Sequence, residues 1–476
     1  MKRLLLAPAC ILALLASTSA AQKPAPPPLS DYVGTYAYGP GRTVEIVVGD
    51  QLFAVLDGAK YRLKPDVTDV FVNNGGQKIP FRRGPNGKIT GFEESGTFYP
   101  RVSLTVTKAS RALAVPRPAG QNSPASYRYR PPVDAHDGIP VGDIAQSDLG
   151  LATANAISRA VLDYTYRDVH SVLLFQHGKL VMEEYFYGYN AARQHQMRSL
   201  TKSVVSAVAG IAIDGGAISR VDERVLPHMT YSAYANPDPR KATMTLGNFL
   251  SMSSGLDCND HSNTSPGRET VIDDQPDWVK ATLDLPMIDN PGSHGYYCSG
   301  GVAVVGRMVE NATHQKLPDF AQAKLFGPLG IKRNDWFWNY DLTSANKEYS
   351  QIHLRPRDML KLGMLFANGG QWEGRQVISS AWVKTALAEH SQVDGTSYGY
   401  FWWRPWLNVP VPNNPAPRRV DMMAAQGNGG QKIYLLPQYD FMAVFTAGDY
   451  NSDGAPPNRI MIDIILPALI AAHPPK

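Results

Sequence analysis

The feature that most restricts the fold is where the strand patterns fall. Ser171 to Gln176 and Lys179 to Phe186 are apolar runs on either side of His177-Gly178, a two-residue hairpin turn, and strand-like runs return near the C-terminus at Lys432 to Leu436 and Phe441 to Thr446. Helical spacing runs through Ala152 to Tyr166, Ser199 to Asp214 and Asn458 to Ala472, and Met244 to Leu325 reads as mostly helix and loop. Strands at both ends of a helical middle predict an α+β domain from 149 to 476, an antiparallel sheet flanked by helices with an inserted helical lobe.

Upstream the pattern is different. Short alternating runs at Thr43 to Val48, Gln51 to Leu56, Tyr61 to Leu63, Val70 to Val72 and Val102 to Val106 predict a small all-β antiparallel module over 22–108. It holds no Ser-x-x-Lys pair and no acid/base cluster, so a packing or substrate-capping role is expected of it. Residues 109–148 are rich in Pro, Arg, Ser and Gly with little periodicity, which predicts a linker. Asn74-Gly75-Gly76-Gln77-Lys78-Ile79 recurs as Asn428-Gly429-Gly430-Gln431-Lys432-Ile433, with nothing matching around the copies. Two Gly-rich turns entering strands are the expectation.

Charge excludes a polyelectrolyte partner. The 46 basic and 42 acidic residues give a net charge of +4 and are scattered along the chain, so no nucleic acid is expected as a partner. Met1-Lys2-Arg3, the apolar run Leu4 to Ala16 and the small residues Ser17 to Ala21 have the three regions of a secretory signal, placing a signal peptide at 1–21 and the mature protein in the periplasm or outside the cell. The apolar run is too short to span a bilayer, so no transmembrane segment is expected after processing. Removal of the signal takes Cys10 with it and leaves Cys258 and Cys298, an even pair that in an exported chain predicts a disulfide. The 11 His are dispersed without metal-ligand spacing, so neither metal nor cofactor is expected.

The chemistry centres on Ser199-Leu200-Thr201-Lys202 at the start of an apolar helix. Positions i and i+3 share a helix face, so the amine reaches the hydroxyl, while the helix N-terminus favours an oxyanion and burial favours a neutral, basic lysine. A second element is Gly295-Tyr296-Tyr297-Cys298-Ser299-Gly300, a Gly-flanked loop entering a helix, from which Tyr297 can relay a proton. Trp278, Phe401, Trp402, Trp403 and Trp406 are candidates for either cleft or core.

Ser199-x-x-Lys202, then Tyr297-Cys298-Ser299, then Gly427-Asn428-Gly429-Gly430-Gln431 before a strand resembles the class C β-lactamase family of penicillin-recognising serine hydrolases. Its 6-aminohexanoate-dimer hydrolase and esterase relatives similarly carry Tyr-Cys-Ser and a Gly-rich loop. The resemblance covers about two thirds of the chain, from Leu149 onward, with further support from Met252 to Leu256, Leu325 to Ile331 and Arg355 to Asp358. It implies that Ser199 is the nucleophile, Lys202 its base and Tyr297 the shuttle to the leaving group, with Ser299 standing where the family usually has Asn. The oxyanion hole would join the Ser199 N–H to one from Asn428 or Gly429.

The third motif departs from the family. Gln426-Gly427-Asn428-Gly429 stands where many relatives place Lys-Thr-Gly or His-Thr-Gly to hold a substrate carboxylate, and Lys384-Thr385-Ala386 lies within a helical run. An exported hydrolase of small uncharged esters or amides is therefore expected, with a β-lactamase or D,D-peptidase as the alternative. A non-turnover sensor of penicillin or wall peptide is the remaining reading.

Overall fold

The computed structural model describes residues 27–39, 41–56, 58–117, 120–338, 351–411, 414–452 and 454–473. The signal-peptide expectation for 1–21 lies outside them. Among the described residues no helix is long and apolar enough to cross a membrane.

The main sheet joins the two ends of the domain as the strand spacing required. In order it runs Lys179–Tyr185, Val169–Gln176, Phe441–Ala447, Gln431–Leu436, Met423–Gly427, Trp403–Arg404, Thr396–Tyr398 and Ser391–Val393, and every neighbouring pair is antiparallel. His177 and Gly178 both hold positive φ (51° and 74°), which matches the right-handed twist of the hairpin strands. The strand nearest the C-terminus closes on the first hairpin, with Val444 opposite Leu173 and Phe445 opposite Val172.

Alternation along these strands feeds two cores. Leu173, Ile433, Leu435 and Val444 face one side, with helices Thr201–Asp214 and Pro356–Ala367. Leu174, Tyr434, Leu436 and Phe445 face the other, with helix Gly150–Leu162 and the C-terminal helices. The inserted lobe contributes helices Leu246–Leu250, Trp278–Asp284 and Gly300–Thr313 to the first core. This is the α+β sheet and helical lobe read from the sequence. The expected C-terminal helix is broken into Pro456–Ile460, a wider π turn at Met461–Ile465 and Leu466–Ala472, since Pro467 has no N–H to continue the ladder.

The upstream module is a closed eight-stranded barrel from Gly34–Ala37 to Thr97–Ser103, each strand pairing with the next in the chain and the last with the first. Its final strand ends at Ser103, so the run expected at Val102 to Val106 is largely loop. Alternation serves two purposes here: Leu52, Ala54 and Leu56 belong to the barrel interior, while Phe53 and Val55 pack outward against the second core of the main domain. A buried ion cluster secures the junction, with Lys60 and Arg62 of the barrel 2.7 and 2.6 Å from Asp168.

Residues 109–148 do not behave as a free linker. Lys108–Ala114 is helical, and Leu113, Tyr127, Ile139 and Ile144 are buried. A few apolar anchors spaced among Pro and Arg bind this strap to the core, and composition averages them away.

Candidate active site

The nucleophile candidate sits at a tight entry into a helix. Arg198–Leu200 is a 3-10 turn that leads directly into helix Thr201–Asp214, and Arg198 holds φ at +51°, a conformation L-residues avoid unless the surroundings impose it. The Met197 N–H donates to the Ile352 carbonyl at 2.8 Å and fixes the chain just upstream. From the other side the strand Met423–Gly427 presses in. A Cβ on Gly427 would lie 2.1 Å from the Met197 carbonyl oxygen, so only glycine permits that approach.

Lys202 is almost fully buried at 1% exposure and donates to the Ser199 hydroxyl at 3.1 Å and to the Ser299 hydroxyl at 3.0 Å. Its amine also lies 4.7 Å from the centre of the Tyr297 ring. The three expected groups therefore meet in one place, with Ser299 as a fourth. The Tyr297 ring is held between His261, 5.2 Å away and 8° from parallel, and Trp403, 5.5 Å away at 26°. His261 is in turn 2.6 Å from Asp394.

The loop carrying Tyr297 is tied to segment 258–260 in three ways. Cys258 and Cys298 form the disulfide, with Cα atoms 5.3 Å apart. Asp260 N–H donates to the Tyr297 carbonyl at 2.8 Å, and the Ser299 N–H donates to the Asp260 carboxylate at 2.9 Å. Burial pushes the Asp260 carboxyl up from its usual range, and the charge of Lys202 pulls it the other way. Asp260 thus places negative potential beside the lysine. Sequence reasoning missed Asp260 and His261, which lie just past Cys258; the Cys pairing is the one signal that could have drawn attention to them.

The Asn428 side chain and the Gly429 carbonyl are engaged by the 449–451 loop. The Asn428 side chain exchanges hydrogen bonds with Asn451, at 2.6 Å to its side chain and 3.0 Å from its N–H, and Gly429 bridges to Asp449. Of the Gly-rich segment, Gly427 is the residue against the nucleophile turn. The repeated hexapeptide does form two Gly-rich turns entering strands, and they clasp one loop: Asn74 donates to the Tyr450 carbonyl at 2.8 Å while Asn428 holds Asn451.

Of Lys432, Arg355, Arg404 and Arg198, the first three are bound by protein oxygens, whereas Arg198, beside Ser199, stacks on a ring and its buried Nε has no hydrogen-bond partner among the described residues. Lys432 lies on the sheet face of Tyr434 and contacts the Gln426 side chain, and burial pushes its amine down to about 8. Arg355 pairs with Asp358 and Asp335 at 2.7 and 3.0 Å, Arg404 binds the Leu387 carbonyl, and the Arg198 guanidinium lies over the Tyr450 ring at 4.9 Å. Of the candidate aromatics, Phe401 and Trp402 are core, Trp403 is at the site, Trp278 starts a lobe helix and Trp406 is 44% exposed. Lys384-Thr385-Ala386 lies in helix Ser380–Leu387. Among the described residues no group of three or more His, Cys, Asp or Glu could hold a metal.

The Beta-lactamase family model matches residues 166–464. The 6-aminohexanoate-dimer hydrolase of Paenarthrobacter ureafaciens is 25% identical over 252 residues, which are 50% of this chain and 62% of that relative, so the match spans less than two thirds of the relative's length. Among solved structures, a penicillin-binding protein homologue from Caulobacter crescentus superposes with a TM-score of 0.51 at 15% identity, over 69% of this chain and 99% of its own. A family VIII carboxylesterase gives 0.51 at 16%, over 68% and 98%. The chain belongs to the Beta-lactamase family, with the β-lactamase/transpeptidase-like fold of the penicillin-recognising serine hydrolases.

Proposed function

We propose that the protein is an exported serine hydrolase that cleaves uncharged ester or amide bonds through an acyl-enzyme on Ser199. The observation that carries this reading is the buried Lys202 amine, within 3.1 Å of the Ser199 hydroxyl and beside the Tyr297 ring. Ser199 Oγ attacks the acyl carbonyl as Lys202 takes its proton, and the Tyr297 phenol delivers a proton to the departing alkoxide or amine and regains one from Lys202. Water then attacks the acyl-enzyme, giving up its proton along the same route, which releases the acid and restores the serine. The oxyanion is held by the Ser199 N–H and by a second N–H on the outer edge of Met423–Gly427, where pairing with Trp403–Arg404 stops at Ala424.

The preference for neutral substrates rests on Lys432, Arg355 and Arg404 being bound by protein oxygens. A buried carboxylate without a cationic partner costs several kcal/mol, and the Gln426 and Asn428 side chains are themselves bound to Lys432 and Asn451. The relative named as a 6-aminohexanoate-dimer hydrolase is consistent with hydrolysis of a small molecule. Export rests on the basic, apolar and small-residue order of 1–21.

The test compares kcat/KM for p-nitrophenyl butyrate and a chromogenic cephalosporin on one preparation, with Ser199→Ala as background. The ester is expected to win by at least about a hundredfold, or about 2.7 kcal/mol of transition-state stabilisation. A ratio near one or favouring the cephalosporin would put the β-lactamase reading first, and a stoichiometric burst without turnover would identify a sensor.

A further inference from the structure

The barrel is not filled. One end is packed by aromatic rings, with Tyr32 4.9 Å from Phe71 and 5.0 Å from Phe81, and the short helix Leu29–Tyr32 closes it. The other end holds a cavity of about 230 Å3 walled by Ile46, Ala54, Leu56, Leu63, Ile79 and Phe92. Protein interiors rarely keep voids larger than a water molecule, and an eight-stranded barrel either fills with side chains or holds one small ligand.

We propose that this cavity binds one small uncharged apolar molecule or chain. A space of this size takes a small organic molecule rather than one or two waters. The walls supply no cation. Glu94 is the one ionisable carboxyl in the lining and is already bonded to the Tyr38 hydroxyl at 2.6 Å, so an anionic ligand meets a like charge and no cation to offset it. Polar groups gather at the rim, where Asn73 and Asn74 stand opposite Tyr450 and Asn451. A ligand with an apolar body and one neutral polar end fits that distribution.

The rim is also the junction with the hydrolase domain. Asn74 holds the Tyr450 carbonyl, and Asn451 holds Asn428 of the Gly-rich turn. An occupant therefore emerges against the loop that supports one wall of the candidate active site. Two sources share this chemistry: the apolar tail of a substrate, or a separate small molecule. The inference does not depend on the chemistry of Ser199.

The experiment titrates the full-length Ser199→Ala protein with 1-heptanol and, as the anionic comparator, heptanoate, followed by calorimetry. Saturable one-site binding of heptanol is expected, at least tenfold tighter than heptanoate and weakened at least tenfold by Ala54→Trp, which fills the cavity. Nuclear Overhauser contacts between bound heptanol and the methyls of Ile46, Leu56 and Ile79 locate it directly and decide the matter if Ala54→Trp does not fold. Absence of saturable binding, or contacts to residues around Ser199 in place of the barrel methyls, overturns the proposal. With Ser199 intact, a tenfold loss in Ala54→Trp confined to p-nitrophenyl octanoate against the acetate assigns the chain to the substrate. Equal activity on both, with heptanol binding lost, assigns it to a separate molecule.

Discussion

The His261 imidazole lies flat on the Tyr297 ring, centroids 5.2 Å apart and planes 8° from parallel, while its Nδ1 meets Asp394 at 2.6 Å. In the proposed mechanism the Tyr297 phenol needs a fixed position more than bulk, and the His261 and Trp403 rings stack on it. His261→Ala is expected to lower kcat on a short ester about tenfold, or about 1.4 kcal/mol, with His261→Phe restoring most of it by stacking alone. If Phe rescues nothing, the imidazole acts chemically and the positioning account fails.

Ser199→Ala and Lys202→Ala are each expected to remove nearly all turnover, and the double variant to be no worse than either, because the pair 3.1 Å apart acts as a unit. Tyr297→Phe should be similarly severe. Labelling with a fluorophosphonate probe, mapped by mass spectrometry, checks the nucleophile; modification of another serine would displace Ser199.

Cys258 and Cys298 are 40 residues apart in sequence, so their bond removes roughly 4 kcal/mol of chain entropy from the unfolded state. Mild reduction is expected to lower activity at concentrations that leave the near-UV spectrum unchanged, since the bond sits beside Tyr297. The backbone hydrogen bond from Asp260 to Tyr297 should preserve part of the activity. Two titratable thiols in the native, unreduced protein would refute the pairing in solution.

Acid should unfold the protein through a buried histidine pair. His170 and His195 lie 2.8 Å apart, and burial pushes both below the usual histidine value, His195 down to about 3. In the unfolded chain these rings take up protons below about pH 6.5. The unfolded state then binds more protons, so stability falls as pH drops from 6.5 towards 3, by up to about 1.4 kcal/mol per pH unit for each ring. Urea unfolding at pH 7, 6, 5 and 4 should show a shallower decline for His195→Gln than for the parent; parallel curves would exclude the pair as a source.

Lys60→Met should destabilise the barrel junction by about 3 kcal/mol, because it leaves the buried Asp168 carboxylate paired with Arg62 alone of the two cations that hold it. Calorimetric unfolding of the whole chain measures this, and a change under 1 kcal/mol would show that Arg62 alone neutralises the site.

The sequence by itself determined what depends on local spacing. An i, i+3 interval on a helix brings Lys202 to Ser199 whatever surrounds them, period-two apolar runs set the strands, and His177-Gly178 dictates a hairpin. The pairing of Cys258 with Cys298 was expected from reading Cys10 as part of a signal peptide, which left an even pair. Tertiary structure decided what depends on chain segments far apart meeting. Asp260 and His261, from one loop, and Trp403, from a strand of the main sheet, converge on the Tyr297 segment, and no periodicity encodes that contact. Gly427 rather than Asn428 touches the nucleophile turn because the strand Met423–Gly427 ends there, and the turn beyond it is claimed by Asn451. Closure of the upstream strands into a barrel with an unfilled half follows from side-chain volumes summed across eight strands, a quantity that no single strand carries.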